Sequence, residues 1–382
     1  MAASPITWTQ QTLKSTALGT ERRLFISLPQ DYGWNRGRRY PVLLLLDAED
    51  VEQFTAAVAN ARFLGSRDET PPLIIVGIPN GADRTHDLTP TAASPPLTQF
   101  PTAGGADHFL TFLADEVLPA VRQQYRTLPL AILAGHSFGG LFGAYAATRP
   151  TAFGAIIAMS PSLWWNNDSA AVRYADLVAH RTAPLRLFVS SGAYEPPIDR
   201  TTLRFAARLD SAKNPTVAFG HRRYVDDSHG LTPLPSLVDG LRFIFKPVSL
   251  ASTPFNRFEP TGTPPDSTTV LAGLAEMQRR YAAGARSLGL PEDLPESAIN
   301  GVGGLAIYFK QPGAALAILR RNVEHFPESA MAYDGLGDAL IASGDTAGAV
   351  KAYRQAVTNA QQAGDPSGEA VAAKLRPLSA HR

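Results

Sequence analysis

The sequence predicts an α/β domain with a mostly parallel central sheet, followed by a small all-α domain. Two observations lead there. Over the first 247 residues, short apolar runs alternate with amphipathic helical stretches, the pattern of strands joined by helical crossovers. Past a stretch rich in Pro, Ser and Thr, the remainder reads as helix and repeats itself every 34 residues. The expected division is a first domain at 1–247, a linker at 248–266 and a helical domain at 267–382. A chain of 382 residues has room for two or three domains.

The strand-like runs are 24–28, 42–46, 73–78, 130–134, Ala155–Met159 and 185–190. The tightest is Val42-Leu43-Leu44-Leu45-Leu46, too short to cross a membrane and the right length for a buried strand. Such continuous apolar strands suit a sheet covered on both faces. Between 109 and 125, Phe109, Leu110, Leu113, Val117, Leu118 and Val121 recur at helical spacing. A last helix is expected at 234–245. The segment KPVSLASTPFNRFEPTGTPPD at 246–266 has the composition of a linker. Beyond it Gly303 matches Gly337, Ala315 matches Ala349, Ile299 matches Tyr333 and Leu319 matches Tyr353. This is the period of tetratricopeptide repeats, with small residues where paired helices touch. Pro327 falls where a helix pair should end, and a helix at 268–288 is expected to cap the repeats.

Composition narrows the function. The net charge is +1, so no strong field favours nucleic acid or an anionic membrane. Membrane insertion is not expected. The chain has no cysteine, which removes disulfides, thiol nucleophiles and thiolate metal sites. No basic segment followed by an apolar one opens the chain, so no signal peptide is visible. The compartment stays open: periplasmic or secreted if a leader has been removed, cytoplasmic otherwise.

The chemistry centres on Gly135-His136-Ser137-Phe138-Gly139, a G-x-S-x-G between an apolar strand and a helix beginning Leu141-Phe142-Gly143. A serine hydroxyl that attacks a carbonyl carbon must project from a tight strand-to-helix turn, and glycines keep that turn free of side chains. The context is that of an α/β-hydrolase nucleophile; the alternative is a serine incidental to a glycine-rich turn. The helix N-terminus aims the Phe138 amide at the developing oxyanion. Serine is a weak nucleophile at neutral pH and needs a base. In this fold the chain order is Ser, acid, His. Of His180, His221 and His229, only His229 lies in a polar loop (Val225 to Gly230) before the last helix. The acid is expected after the strand at 185–190, with Glu195 ahead of Asp199; either could instead be a solvated loop carboxylate. The second oxyanion donor is expected from the loop after 42–46, at the Ala48 or Glu49 amide. The carboxylates of that loop lack metal-ligand spacing, so no metal and no cofactor is expected.

With these residues in place, the first domain resembles the esterase family that includes enterobactin-type siderophore esterases, related to the esterase D group. The resemblance runs from 21 to 245. It is carried by RRYPVLLLLDAED (38–50), IIVGIPNGADRTHDLTP (74–90), GGADHFLTFLADEVLPAVRQQYRT (104–127), ILAGHSFGGLFGAYA (132–146), MSPSLWW (159–165) and HGLTPLPSLVDGLRFIF (229–245). An esterase followed by short tetratricopeptide-like repeats also resembles an architecture seen in that family. The resemblance implies Ser137 as nucleophile, His229 as base and an acid within 192–195. This sequence departs at Asp47-Ala48, where the family more often carries Asp-Gly, which bears on the oxyanion loop.

The resemblance also implies substrate contacts. Arg84 and Asp87 lie in the loop after 73–78, where siderophore esterases carry a basic residue; an Arg84–Asp87 ion pair is the competing expectation. Trp164 and Trp165 are candidates to wall an acyl or aryl pocket, against simple core packing. His136, beside the nucleophile, is counted with them. The stretch 89–106 is long enough for a lid or pocket rim. The expected activity is carboxylic ester hydrolysis through an acyl-enzyme on small acyl or aryl esters, a feruloyl ester among them. A siderophore trilactone is the named alternative, and a non-catalytic binding protein using its repeats is the alternative of another class. The expected partner is a small-molecule ester, with self-association through the helical domain as a further possibility.

Overall fold

The computed structural model describes residues 6–92, 99–251 and 264–379. Two compact units divide the chain. The first takes in Met1–Gln30, Arg39–Lys246 and Leu288–Leu290; the second takes in Asp31–Arg38, Pro247–Ser287 and Pro291–Arg382.

The first unit is built on one eight-stranded sheet. Its strands are β1 (Thr9–Lys14), β2 (Glu21–Ser27), β3 (Tyr40–Leu46), β4 (Ile74–Ile78), β5 (Thr127–His136), β6 (Ala155–Met159), β7 (Leu185–Gly192) and β8 (Val217–Tyr224). They lie in the order β1-β2-β4-β3-β5-β6-β7-β8. The β1/β2 and β2/β4 pairs are antiparallel and the rest parallel. This mostly parallel sheet flanked by helices is the α/β-hydrolase fold. Every residue of β3, β4 and β6 is buried, as a sheet covered on both faces requires.

Two strands lie outside the apolar runs read from the sequence. β1 is TQQTLK, a polar edge strand with most of its residues exposed. β8 is VAFGHRRY, half-buried on the opposite edge. Edge strands need little apolar burial, so hydrophobic runs do not reveal them.

The helices of this unit are α1 (Val51–Ser66), α2 (Arg84–Leu88), α3 (Ala106–Thr111), α4 (Leu118–Gln124), α5 (Phe138–Ala147), α6 (Ser169–Ala179), α7 (Pro196–Ala212) and α8 (Pro233–Phe245). The amphipathic stretch expected at 109–125 is interrupted: Phe112–Val117 winds as a π-helix between α3 and α4. Pro119 sits in the first turn of α4 and cannot donate a backbone hydrogen bond, which accounts for the shift in register. All ten residues of α5 are buried. Its small residues allow that depth. A Cβ on Gly140 would lie 2.7 Å from the Met159 carbonyl oxygen, and one on Gly143 would lie 3.2 Å from Ile156 Cγ2. Glycine therefore lets the helix after the nucleophile settle directly on β6.

The second unit is all-helical: α9 (Ser267–Leu288), α10 (Glu296–Tyr308), α11 (Pro312–His325), α12 (Ala330–Ala342), α13 (Thr346–Ala363) and α14 (Gly368–Ser379). Residues matched at 34-residue spacing make the same contact in each hairpin. A Cβ on Gly303 would come within 2.5 Å of the Leu319 side chain, and one on Gly337 would run into the Tyr353 ring. Each glycine of one helix thus receives the large residue of the next, and the two hairpins repeat the same fit.

Candidate active site

Three central strands end in the same unusual way. Asp47 after β3, Ser137 after β5 and Ser160 after β6 have φ of 59°, 59° and 42°. Non-glycine residues adopt this left-handed region at a cost of roughly 1–3 kcal/mol each, and such strain gathers at functional sites. All three sit at the C-terminal edge of the parallel strands, where loops converge.

Ser137 forms the sharpest of these turns, with ψ at −114°. A Cβ on Gly135 would lie 2.5 Å from the Gly139 carbonyl carbon and oxygen, so glycine there is a steric requirement. A Cβ on Gly139 would lie 3.1 Å from Asp47 Oδ2. The Ser137 amide donates to the Met159 carbonyl (3.0 Å), and its carbonyl accepts from Leu141 and Ser162 (2.9 and 3.1 Å). The hydroxyl lies 3.4 Å from Ser162 Oγ. Phe138 opens α5, so its N–H has no acceptor within the helix.

His229 follows β8, and its ring centroid is 4.3 Å from that of His136, the residue before Ser137. Its Nδ1 lies 2.5 Å from Glu195 Oε2. Glu195 stands at the N-cap of α7 and is 5% exposed, which makes its partners decisive. Its Oε1 accepts from the Gly192 amide (2.5 Å) and the Ser160 hydroxyl (2.6 Å). Burial alone would raise this carboxyl; hydrogen bonds from His229, Gly192 and Ser160 outweigh it and hold the group below the ordinary glutamate value. The other candidate acid faces elsewhere. Asp199 accepts from Ser191 Oγ (2.7 Å) and pairs with Arg223 (2.9 Å).

The loop carrying His229 is pressed against the end of β7. Tyr194 N–H donates to the Asp227 carbonyl at 3.2 Å, and any Cβ on Gly192 would collide with that carbonyl.

The remaining expected residues separate. Ala48 is buried and its amide donates to the Ile78 carbonyl at 3.3 Å, so that N–H is already engaged. Glu49 is exposed and its carboxylate accepts from the Asn80 amide at 2.9 Å. The expected Arg84–Asp87 pair does not form. Arg84 makes a bidentate pair with Asp47 (2.6 and 2.9 Å), and its guanidinium carbon lies 5.6 Å from the Phe138 ring centroid. Burial opposes the Arg84 charge, and the Asp47 carboxylate more than restores it. Asp87 is buried and paired with Arg22 at 2.7 Å. Burial raises its carboxyl despite Arg22, and it belongs to the interior rather than to a substrate surface. Trp165 is also interior, its indole N–H donating to the Pro90 carbonyl at 3.1 Å. Trp164 is half-buried. Burial first, and then neighbouring His229, push the His136 imidazole down to about 4.

Phe100, which the sequence did not single out, completes an aromatic group. Its ring centroid is 5.4, 6.1 and 5.6 Å from those of Phe138, Trp164 and Trp165. It comes from the stretch expected to form a lid or rim, of which 93–98 lies outside the described residues. The two ends of that stretch are tied: the Thr89 carbonyl accepts from Gly104 and Ala106 (3.1 and 3.2 Å). Ser160, Thr232 and Asp47 are the other residues that sequence reasoning missed. Among the described residues, no group of three or more His, Asp or Glu could hold a metal ion.

The family model described as "Putative esterase" matches residues 15–223. Over 167 residues the chain is 36% identical to the siderophore triacetylfusarinine C esterase of Aspergillus fumigatus, covering 41% of this chain and 56% of that protein. Over 192 residues it is 32% identical to the ferri-bacillibactin esterase BesA of Bacillus subtilis, covering 45% of this chain and 65% of that protein. The chain thus spans between half and two thirds of the length of these curated relatives. An IroE-like serine hydrolase from Shewanella oneidensis shares the fold, with a TM-score of 0.67 at 24% identity, covering 84% of this chain and 100% of that one.

Proposed function

The chain belongs to the esterase family whose model it matches, and on that premise we propose that it is a serine carboxylic ester hydrolase working through an acyl-enzyme. The observation that carries the reading is the pairing of a serine at a glycine-lined elbow with a 2.5 Å contact between His229 and the buried Glu195 on the same sheet edge.

In the proposed reaction the His229 Nδ1–H stays on the ring and donates a hydrogen bond to Glu195, which fixes the tautomer that leaves the Nε2 lone pair free to act as base. Ser137 Oγ attacks the ester carbonyl carbon as Nε2 takes its proton. The Phe138 amide stabilises the oxyanion, with Glu49 the remaining early-loop candidate for a second donor. The imidazolium then gives its proton to the departing alcohol. Water, deprotonated by His229, attacks the acyl-enzyme, and the carboxylic acid leaves as Ser137 recovers its proton. No cofactor enters the scheme.

For substrate, small acyl and aryl esters fit the half-buried Trp164 and Phe100 beside Phe138. A siderophore ester is favoured by a separate observation: both curated relatives carry that activity in their names. We assign the helical hairpins to tetratricopeptide-like repeats, because Gly303 with Leu319 and Gly337 with Tyr353 repeat one contact at 34-residue spacing. Self-association through them is tested by the mass of the full chain in solution. Among the described residues no helix is long and apolar enough to cross a membrane.

The deciding experiment is hydrolysis of p-nitrophenyl acetate through octanoate, methyl ferulate and an enterobactin-type trilactone by wild type and Ser137→Ala. Turnover by the wild type that vanishes in the variant supports the reading, and the preferred ester names the substrate class. A wild type inert towards all of them would redirect attention to a binding role.

A further inference from the structure

Behind the Glu195–His229 pair lies a second layer of hydroxyls. Ser160 and Thr232 are both 0% exposed. Ser160 Oγ is 2.6 Å from Glu195 Oε1 and 2.8 Å from Thr232 Oγ1. Thr232 in turn donates to the His229 carbonyl at 3.0 Å. The hydroxyls therefore bridge the carboxylate to the backbone of the base. Ser160 thus has one proton and two acceptors in reach, and the charged carboxylate, the stronger and nearer of them, takes it.

The backbone at Ser160 supports a selected role. Its φ of 42° is the kind that glycine adopts without penalty. A serine there retains the strain and gains only what its side chain does. Its amide donates to the Ser190 carbonyl at 3.0 Å, which ties the turn after β6 to the neighbouring strand β7.

We propose that Ser160, backed by Thr232, is a positioning residue that holds the Glu195 carboxylate in register behind the His229 imidazole. The inference rests on the esterase reading for its kinetic consequence, and on geometry alone for its structural one. Ser160 never touches the reacting atoms; it acts through Glu195. A charged acceptor with one buried donor removed becomes more basic, because the hydrogen bond favoured its ionised form. The groups facing Glu195 are His229 from the loop after β8 and, farther off, His136 at the end of β5. On α7 itself Asp199 is turned to Ser191 and Arg223. A more basic Glu195 stabilises imidazolium at His229, so the acid limb of the activity profile moves to higher pH.

The test compares Ser160→Ala with Ser160→Gly. Alanine keeps the strain and loses the hydroxyl; glycine loses both. We expect both variants to lose about ten- to hundredfold in kcat with KM nearly unchanged. The acid limb should move upward, and the glycine variant should melt at or above the alanine one. A substrate-free readout accompanies this: the His229 Nδ1–H resonance should shift in both variants, because its acceptor Glu195 is displaced. Should the alanine variant fail to fold, Ser160→Gly and Thr232→Val carry the comparison. A glycine variant with wild-type kcat, pH profile and resonance would overturn the proposal and leave Ser160 a mere turn residue. If wild type and Ser137→Ala are equally inert on esters, the esterase reading fails, while the resonance still decides whether Ser160 positions Glu195.

Discussion

Replacing Glu195 by glutamine gives a sharp test, because the structure dictates which way the amide must face. Oε1 accepts from the Gly192 backbone N–H at 2.5 Å and from Ser160 at 2.6 Å. An NH2 group in that position would meet a fixed donor, so the glutamine oxygen must occupy it. The NH2 then takes the place of Oε2, 2.5 Å from His229 Nδ1. Two donors cannot share that contact. The imidazole must move its proton to Nε2, where it can no longer accept one from Ser137. The variant therefore keeps its fold and loses its base. A tautomer lock of this kind lowers kcat on the order of a thousandfold or more, which is about 4 kcal/mol or more in the barrier. The assay is kcat on the best ester of the panel, with near-ultraviolet circular dichroism to show intact packing. Asp199→Asn is the control: that carboxylate bonds Ser191 and Arg223, so its kcat should change less than about fivefold. A Glu195→Gln loss smaller than about tenfold would refute the assignment of Glu195 as the group that sets the tautomer.

Three further outcomes follow from packing and charge. Gly135→Ala puts a methyl group 2.5 Å from the Gly139 backbone, where nothing flexible can yield; stability should fall by about 2–4 kcal/mol in urea denaturation, and an unchanged midpoint would contradict the packing argument. His136 is held near 4 in the folded chain against an ordinary 6.5. Between those values the unfolded chain binds the extra proton, so this contribution is fully present above pH 6.5 and drains away as pH falls to 4, about 3 kcal/mol in all. His136→Gln should flatten the stability-versus-pH curve over that window; parallel curves would show that His136 is not the titrating group. Gly337→Ala drives a methyl into the Tyr353 ring, whose hydroxyl is held by Asp338 at 2.7 Å. The helical unit should lose about 1–3 kcal/mol by thermal denaturation, and an unaltered transition would count against the repeated glycine contact.

How much of this is legible in the sequence depends on the reach of each contact. The elbow is local: Gly135, Ser137 and Gly139 act within one turn, so the motif and its strand-to-helix setting suffice to read it. The places of Glu195 and His229 along the chain follow from the strand order of the fold. Arg84 shows the opposite case. Its charge partner by sequence proximity is Asp87, three residues on, yet the one it meets is Asp47, 37 residues earlier on a neighbouring strand end. The parallel register of β3 with β4 brings those loops together, and no local pattern announces it. Ser160 and Thr232 are hidden for the same reason, being 72 residues apart and ordinary in composition. The edge strands β1 and β8 escape because the apolar signal they would carry is the burial they lack.

The tight seat of Asp227 on Gly192 has a consequence for how such a site can diversify. The root of the His229 loop is fastened to the end of β7, while Tyr194, Val225, Leu231 and Leu234 stand exposed nearby. Tyr194, Val225 and Leu231 are more than half exposed and bear little of the packing, so they are free to be exchanged one at a time. Exchanging them changes the surface around the loop and leaves in place the Asp227–Gly192 contact that holds its root. Change and constancy are thereby assigned to different residues that sit close together along the chain.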